Sequence, residues 1–122
     1  MIKTLTRIAV DWGVRCFGAD HMRDRRVRAL RLVEEAVELA QACHVSEAQI
    51  EQLVEVVYSR PRGMAHQEAG GVMVTLAVLC DHLGIDIETA FEIEVRRCLS
   101  RDPADFAERN RQKIAAGLTG YQ

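Results

Sequence analysis

The sequence predicts an all-α protein, a single domain over residues 1–122 built as a bundle of about five to six helices. Three observations carry that expectation. Apolar residues recur at helical spacing through successive segments, and no segment shows the strict alternation of a half-buried strand. The composition is aliphatic, with 48% hydrophobic residues but only 5% aromatics, so the helices must pack through Ala, Val and Leu. Capping signals also punctuate the chain at the spacing of short helices. At 122 residues the chain is long enough for one core and too short for two comfortable ones.

Residues 2–17 form the first predicted helix, with Leu5, Ile8, Ala9, Trp12 and Cys16 on one face. Gly18-Ala19-Asp20 breaks it. Residues 22–44 give the second and strongest helix. Leu30, Val33, Val37 and Ala40 form its apolar stripe, flanked by Ala29, Leu32, Ala36, Leu39 and Cys43. Arg31, Glu34, Glu35 and Glu38 take the other half, and on periodicity alone they read as a solvated face. Ser46-Glu47-Ala48-Gln49 has the form of a capping box and opens a third helix, which ends near Tyr58. Ser59-Arg60-Pro61-Arg62-Gly63 is then a loop.

Residues 64–83 are the fourth helix, closed by Gly84. Between Ala69 and Cys80 it has no charge, and its apolar residues point in every direction, the pattern of a buried helix. Gly70-Gly71 costs its interior roughly 2 kcal/mol against two alanines, which suggests close approach of a backbone or a ligand. Glu68 stands at the entrance of this segment, where a carboxylate must be exposed, neutral or paired with a cation. Asp86 caps a fifth helix. Asp102-Pro103 opens a last one, since Asp suits the N-cap and Pro the first helical position. Residues 117–122 are expected to trail off as a loose tail.

Composition also excludes. A net charge of −2 gives no general case for nucleic acid or an anionic membrane as partner. The run from Ala69 to Cys80 is too short to span a bilayer. Arg7, Asp11 and Arg15 interrupt any secretory h-region. Cys16, Cys43, Cys80 and Cys98 form no C-x-x-C pair and read as scattered thiols in helices, which fits the cytoplasm.

The chemistry-bearing pattern is carboxylate. Glu35 and Glu38, at i and i+3, and Glu34 and Glu38, at i and i+4, project from neighbouring helix positions. A facing helix that supplies Glu68 would complete a cluster that repels itself unless a divalent cation binds, and magnesium prefers such hard oxygen ligands. Arg60 and Arg62, beside Pro61 and Gly63, are candidate phosphate contacts or plain solvated loop charges.

Glu34-Glu35-Ala36-Val37-Glu38, then Gln67-Glu68-Ala69-Gly70-Gly71-Val72, then Leu83-Gly84-Ile85-Asp86 resembles the all-α NTP pyrophosphatases of the MazG-like superfamily. The resemblance covers most of residues 8–97. It implies hydrolysis of a nucleoside triphosphate, whether a (d)NTP or a non-standard nucleotide, to the monophosphate and pyrophosphate. It also implies Mg²⁺, with Mn²⁺ as a substitute, held by Glu35, Glu38 and Glu68, and an attacking water oriented or deprotonated by Glu34, with Glu35 the other catalytic carboxylate. Trp12 and Phe17 resemble the segment that packs near the base in relatives. Arg60, Arg62, Arg97 and Lys113 are candidates to offset the triphosphate charge, and the implied assembly is a homodimer or homotetramer.

The chain departs from the family at Gly71, where the Asp of E-x-x-D is expected. The site then works with the remaining glutamates and water, or binds metal weakly or recruits a carboxylate such as Asp81 or Asp86 from another chain, or has kept the fold without turnover. A nucleotide-binding or regulatory module and a structural bundle without ligand are the competing functions.

Overall fold

A computed structural model describes residues 1–118, and the last part of the expected tail lies outside the described residues. Seven α-helices and no strand occur among them. They are α1 (Ile2–Phe17), α2 (Ala19–Arg23), α3 (Arg25–Ala42), α4 (Glu47–Tyr58), α5 (Ala65–Leu83), α6 (Ile87–Leu99) and α7 (Pro103–Ala115). The all-α expectation holds, with one more helix than expected.

The extra helix comes from splitting the predicted second one. Gly18 takes a φ of 86°, which a glycine adopts cheaply, and α2 starts directly after it. Asp24 then caps α3, its Oδ1 accepting from the backbone N–H of Arg26 at 3.0 Å and of Val27 at 3.2 Å. The other caps follow expectation. Ser46 Oγ accepts from the Gln49 N–H while Gln49 Oε1 accepts from the Ser46 N–H, a closed capping box. Asp86 accepts from the Thr89 N–H and Asp102 from that of Ala104.

Two helix ends were not anticipated. His44 sits at φ 68°, and the Val45 N–H reaches back to the Ala40 carbonyl to close α3. Gly117, at φ 89°, does the same for α7, with Leu118 N–H bonded to the Lys113 carbonyl. Both are Schellman closures, so residues 117–118 finish a helix rather than trail away.

The chain divides into two compact units, residues 1–31 with 85–122, and residues 32–84. α3 begins in the first and ends in the second. In the first unit α1 packs on α2, α6 and α7. Leu5, Cys16, Val27, Val95 and Phe106 are buried there, and Val27 is only 1% exposed. Gly13 is buried where α1 meets α2, and the end of the Met22 side chain occupies the place a Cβ would take.

The second unit is built differently. Of its residues only Cys80 is buried, while fifteen large apolar side chains from Leu32 to Leu83 are exposed. The expectation that the fourth helix is buried fails within this chain: Val74 on α5 is 64% exposed and Val78 66%. An aliphatic side chain carries about 60–120 Å² of burial-relevant surface at roughly 25 cal/mol per Å². At about half exposure, fifteen such chains leave roughly 500–1,000 Å² of apolar surface in water.

Among the described residues no single helix is long and apolar enough to cross a membrane. None of the four cysteines is joined in a disulfide.

Candidate functional site

The second unit holds Glu34, Glu35, Glu38, Arg60, Arg62 and Glu68. Glu35 lines a groove of about 320 Å³ between α3 and α5, opposite Val72, Thr75, Leu76 and Leu79. The groove is mostly apolar, floored from the α3 side by Leu32, Ala36, Leu39 and Ala40. The Thr75 hydroxyl donates back to the carbonyls of Gly71 and Val72, both at 3.0 Å, so toward the groove it offers lone pairs only. Glu34 is half-buried and Glu38 exposed. The helix places Glu38 one turn beyond both, as the spacing predicts.

Glu68 belongs to a second hollow, an open one of about 700 Å³, lined also by Val57, Tyr58, Arg60, Pro61, Arg62 and Gly63. The loop after α4 carries the two arginines to the start of α5, where Glu68 lies in the first turn. Its carboxylate folds back over Gly63, at the point where a Cβ would stand on any other residue. Met64, the N-cap of α5, has no side-chain acceptor for the first-turn N–H groups. Those groups carry the positive end of a nineteen-residue helix and point to where an anion is favoured. Arg60, Arg62 and Glu68 therefore line one hollow, and the uncapped start of α5 follows it directly in the chain. That combination suits a phosphate chain.

The donor chemistry is right for magnesium, but the number is not. Among the described residues no three His, Cys, Asp or Glu side chains come together in a metal-sized group. Glu35 faces the groove and Glu68 faces the loop hollow, and Gly71 supplies no third donor. As placed, these side chains do not make a closed magnesium site.

The first unit holds Trp12, Phe17, Arg97 and Lys113. Trp12 meets Phe17 edge-on at 6.0 Å and Phe106 edge-on at 5.0 Å, and Arg28 lies over the Phe17 ring at 5.8 Å. Trp12 also lines a small hollow of about 160 Å³ with Ala9, Phe91, Glu94, Val95 and Cys98, and its buried indole N–H has no hydrogen-bond partner. Arg97 grips Glu94 through both Nε and Nη2, the latter at 2.6 Å, and this holds the Glu94 carboxyl below its ordinary range. The Arg97 fork is thus engaged within α6.

Sequence reasoning missed Gly63, Thr75 and the Phe106 contact to Trp12. Thr75 had a signal, since it shares a helical stripe with Glu68. Gly63 and Phe106 had none, because each meets its partner through the path of the chain rather than through spacing. No family model matches the chain, and neither any curated protein nor any solved structure matches it.

Proposed function

We propose that the protein is a nucleoside triphosphate pyrophosphohydrolase, magnesium-dependent as its resemblance to the MazG-like superfamily implies. It releases pyrophosphate and a nucleoside monophosphate from a (d)NTP or a non-standard nucleotide. The observation that carries this reading is the loop hollow, which Arg60, Arg62 and Glu68 line just ahead of the uncapped start of α5. Arginine forks and helix-terminal N–H groups are the donors that bind and orient phosphate oxygens and offset their charge. Glu34, Glu35 and Glu38 stand on the other helix of the motif, with Glu35 in the α3–α5 groove. The same resemblance supports a homodimer or homotetramer and a nucleotide rather than a nucleic acid or membrane as partner.

The test is a screen of NTPs and dNTPs with Mg²⁺ or Mn²⁺, read as pyrophosphate release. Glu38→Gln and Glu68→Gln are expected to lose about 100-fold or more, beyond the 10–100-fold that supporting residues of metal sites typically cost. If both variants keep wild-type turnover, the site assignment is wrong.

A second reading is favoured by Gly71 and by the missing trio of ligands: a nucleotide-binding module of the same fold without turnover. Calorimetry would then show nucleotide affinity with no product. A Cβ at Gly71 meets nothing within 4 Å, so Gly71→Asp is sterically free to restore the missing carboxylate. Hydrolysis gained in Gly71→Asp alone would decide for this reading.

A further inference from the structure

We infer that the groove between α3 and α4 is the docking site for a basic amphipathic helix of another protein, its apolar side chains in the groove and its lysines or arginines along the α4 rim. The inference does not rest on the catalytic reading, and no residue lining this groove belongs to the candidate site. The groove measures about 420 Å³ and is lined by Val37, Gln41, Val45, Glu47, Ile50 and Glu51. All six belong to the second unit. Val37 and Val45 are 38% and 37% exposed. Val54, one turn beyond Ile50 on the same side of α4, extends the apolar strip and is 49% exposed.

Charge selects the occupant. Between Leu32 and Ser59 the chain has six glutamates and neither lysine nor arginine. Glu47, Glu51 and Glu55 follow one another at i, i+4 along α4, beside the strip of Ile50 and Val54. All three are exposed, and among the described residues none of them forms an ion pair. Glutamates of α6 and α7 are arranged otherwise. Glu92 meets Arg96 at 2.7 Å, while Glu94 meets Arg97 and Glu108 meets Arg111 at 2.6 Å, each within one turn. Glu47 lies in the first turn of α4, where the helix N-terminus favours it. Glu51 and Glu55 lie beyond that turn, so the repulsion along the row is left uncompensated.

An apolar groove beside a row of carboxylates is the complement of a helix that carries cations at i, i+4 beside an apolar stripe. The groove supplies burial, and the row decides which partners are accepted. A neutral or acidic segment would leave the row unopposed. A second copy paired through this same face would set one carboxylate row against another. A metal ion would leave the apolar wall bare, and among the described residues no metal-sized trio of ligands forms.

The experiment titrates a synthetic helical peptide into the full chain, read by fluorescence anisotropy, with sedimentation of the same mixtures. The peptide is about 18 residues, or five turns, with an apolar stripe of leucines flanked by lysines. A twin carries glutamate in place of every lysine. The lysine peptide is expected to bind once per chain, and the twin at least about tenfold more weakly. Glu47→Gln with Glu51→Gln should weaken the lysine peptide about tenfold. Glu88→Gln with Asp105→Asn removes the same charge from α6 and α7 and should leave its binding unchanged. In case the α4 double variant does not fold, as circular dichroism would show, Val37→Lys gives an independent reading: a cation in the groove should weaken the lysine peptide and not the twin. No binding by wild type overturns the inference, as does equal binding of the two peptides. So does an equal loss in the two double variants, or unchanged affinity in the α4 variant or in Val37→Lys. A wild-type assembly whose mass per complex falls when the peptide binds would show that a second copy fills the groove, and would overturn it too.

Discussion

The two units solve the problem of burial in opposite ways. Residues 1–31 with 85–122 enclose Val27, Leu5, Cys16, Val95 and Phe106, and α1 touches three other helices. Residues 32–84 enclose almost nothing, yet hold every carboxylate of the candidate site. Charge divides the same way. The second unit carries eight carboxylates against two arginines, and the first carries the other ten against fourteen Lys and Arg. The self-sufficient half is the scaffold. The half with the candidate site leaves most of its large apolar side chains uncovered within its own chain. An apolar pattern says what must be covered and is silent about which chain covers it.

The contrast can be broken most forcefully in the first unit. Phe106→Ala removes the ring packed edge-on against Trp12 at 5.0 Å. It should cost about 3–5 kcal/mol in urea unfolding, the usual range for a buried aromatic. That loss should not change with protein concentration. A cost under about 1 kcal/mol, within the range of a surface substitution, would mean the first unit is not built around that contact.

A smaller effect sharpens the picture of the second unit. Ser46→Ala removes the Oγ arm of the capping box on α4, leaving only the backbone N–H arm to Gln49, and should cost about 1 kcal/mol. Because α4 buries nothing within its own chain, the loss should appear as a weaker assembly as well as a lower melting temperature. Thr is the conservative replacement and should restore most of it.

The smallest effect is a pH dependence of the first unit. Burial, followed by the nearby Arg28 guanidinium, holds the His21 pKa below its ordinary 6.5. A group whose folded pKa is depressed contributes stability above its unfolded value and loses it as pH falls through the folded one. Stability should therefore decline as pH drops below 6.5. His21→Gln should flatten that part of a melting-temperature profile, and an unchanged slope would assign the effect elsewhere. A further decline is expected in the acid range, where Glu94 loses its hold on Arg97.

Much of the fold was legible because capping is local chemistry. Ser46 with Gln49, Asp86, Asp102 with Pro103, and Gly84 each announce a helix end within four residues. Asp24 carried the same kind of signal, but the run of arginines after it is helix-compatible and hid the break between α2 and α3. His44 in a left-handed conformation was not legible, because few residues other than glycine adopt it and none of its neighbours is a glycine that would mark the helix end. In the site, the i, i+3 and i, i+4 spacing of Glu34, Glu35 and Glu38 could be read directly. The fold of Glu68 back over Gly63 could not, since it depends on how the Arg60–Arg62 loop turns into α5.

The difference between the units can be measured directly by hydrogen exchange of the full chain over a dilution series. As protein concentration falls, amides of α4 and α5 should lose protection together, while those of α1, α6 and α7 keep theirs. Protection in α4 and α5 that is independent of concentration, and equal to that of α1, would contradict the account.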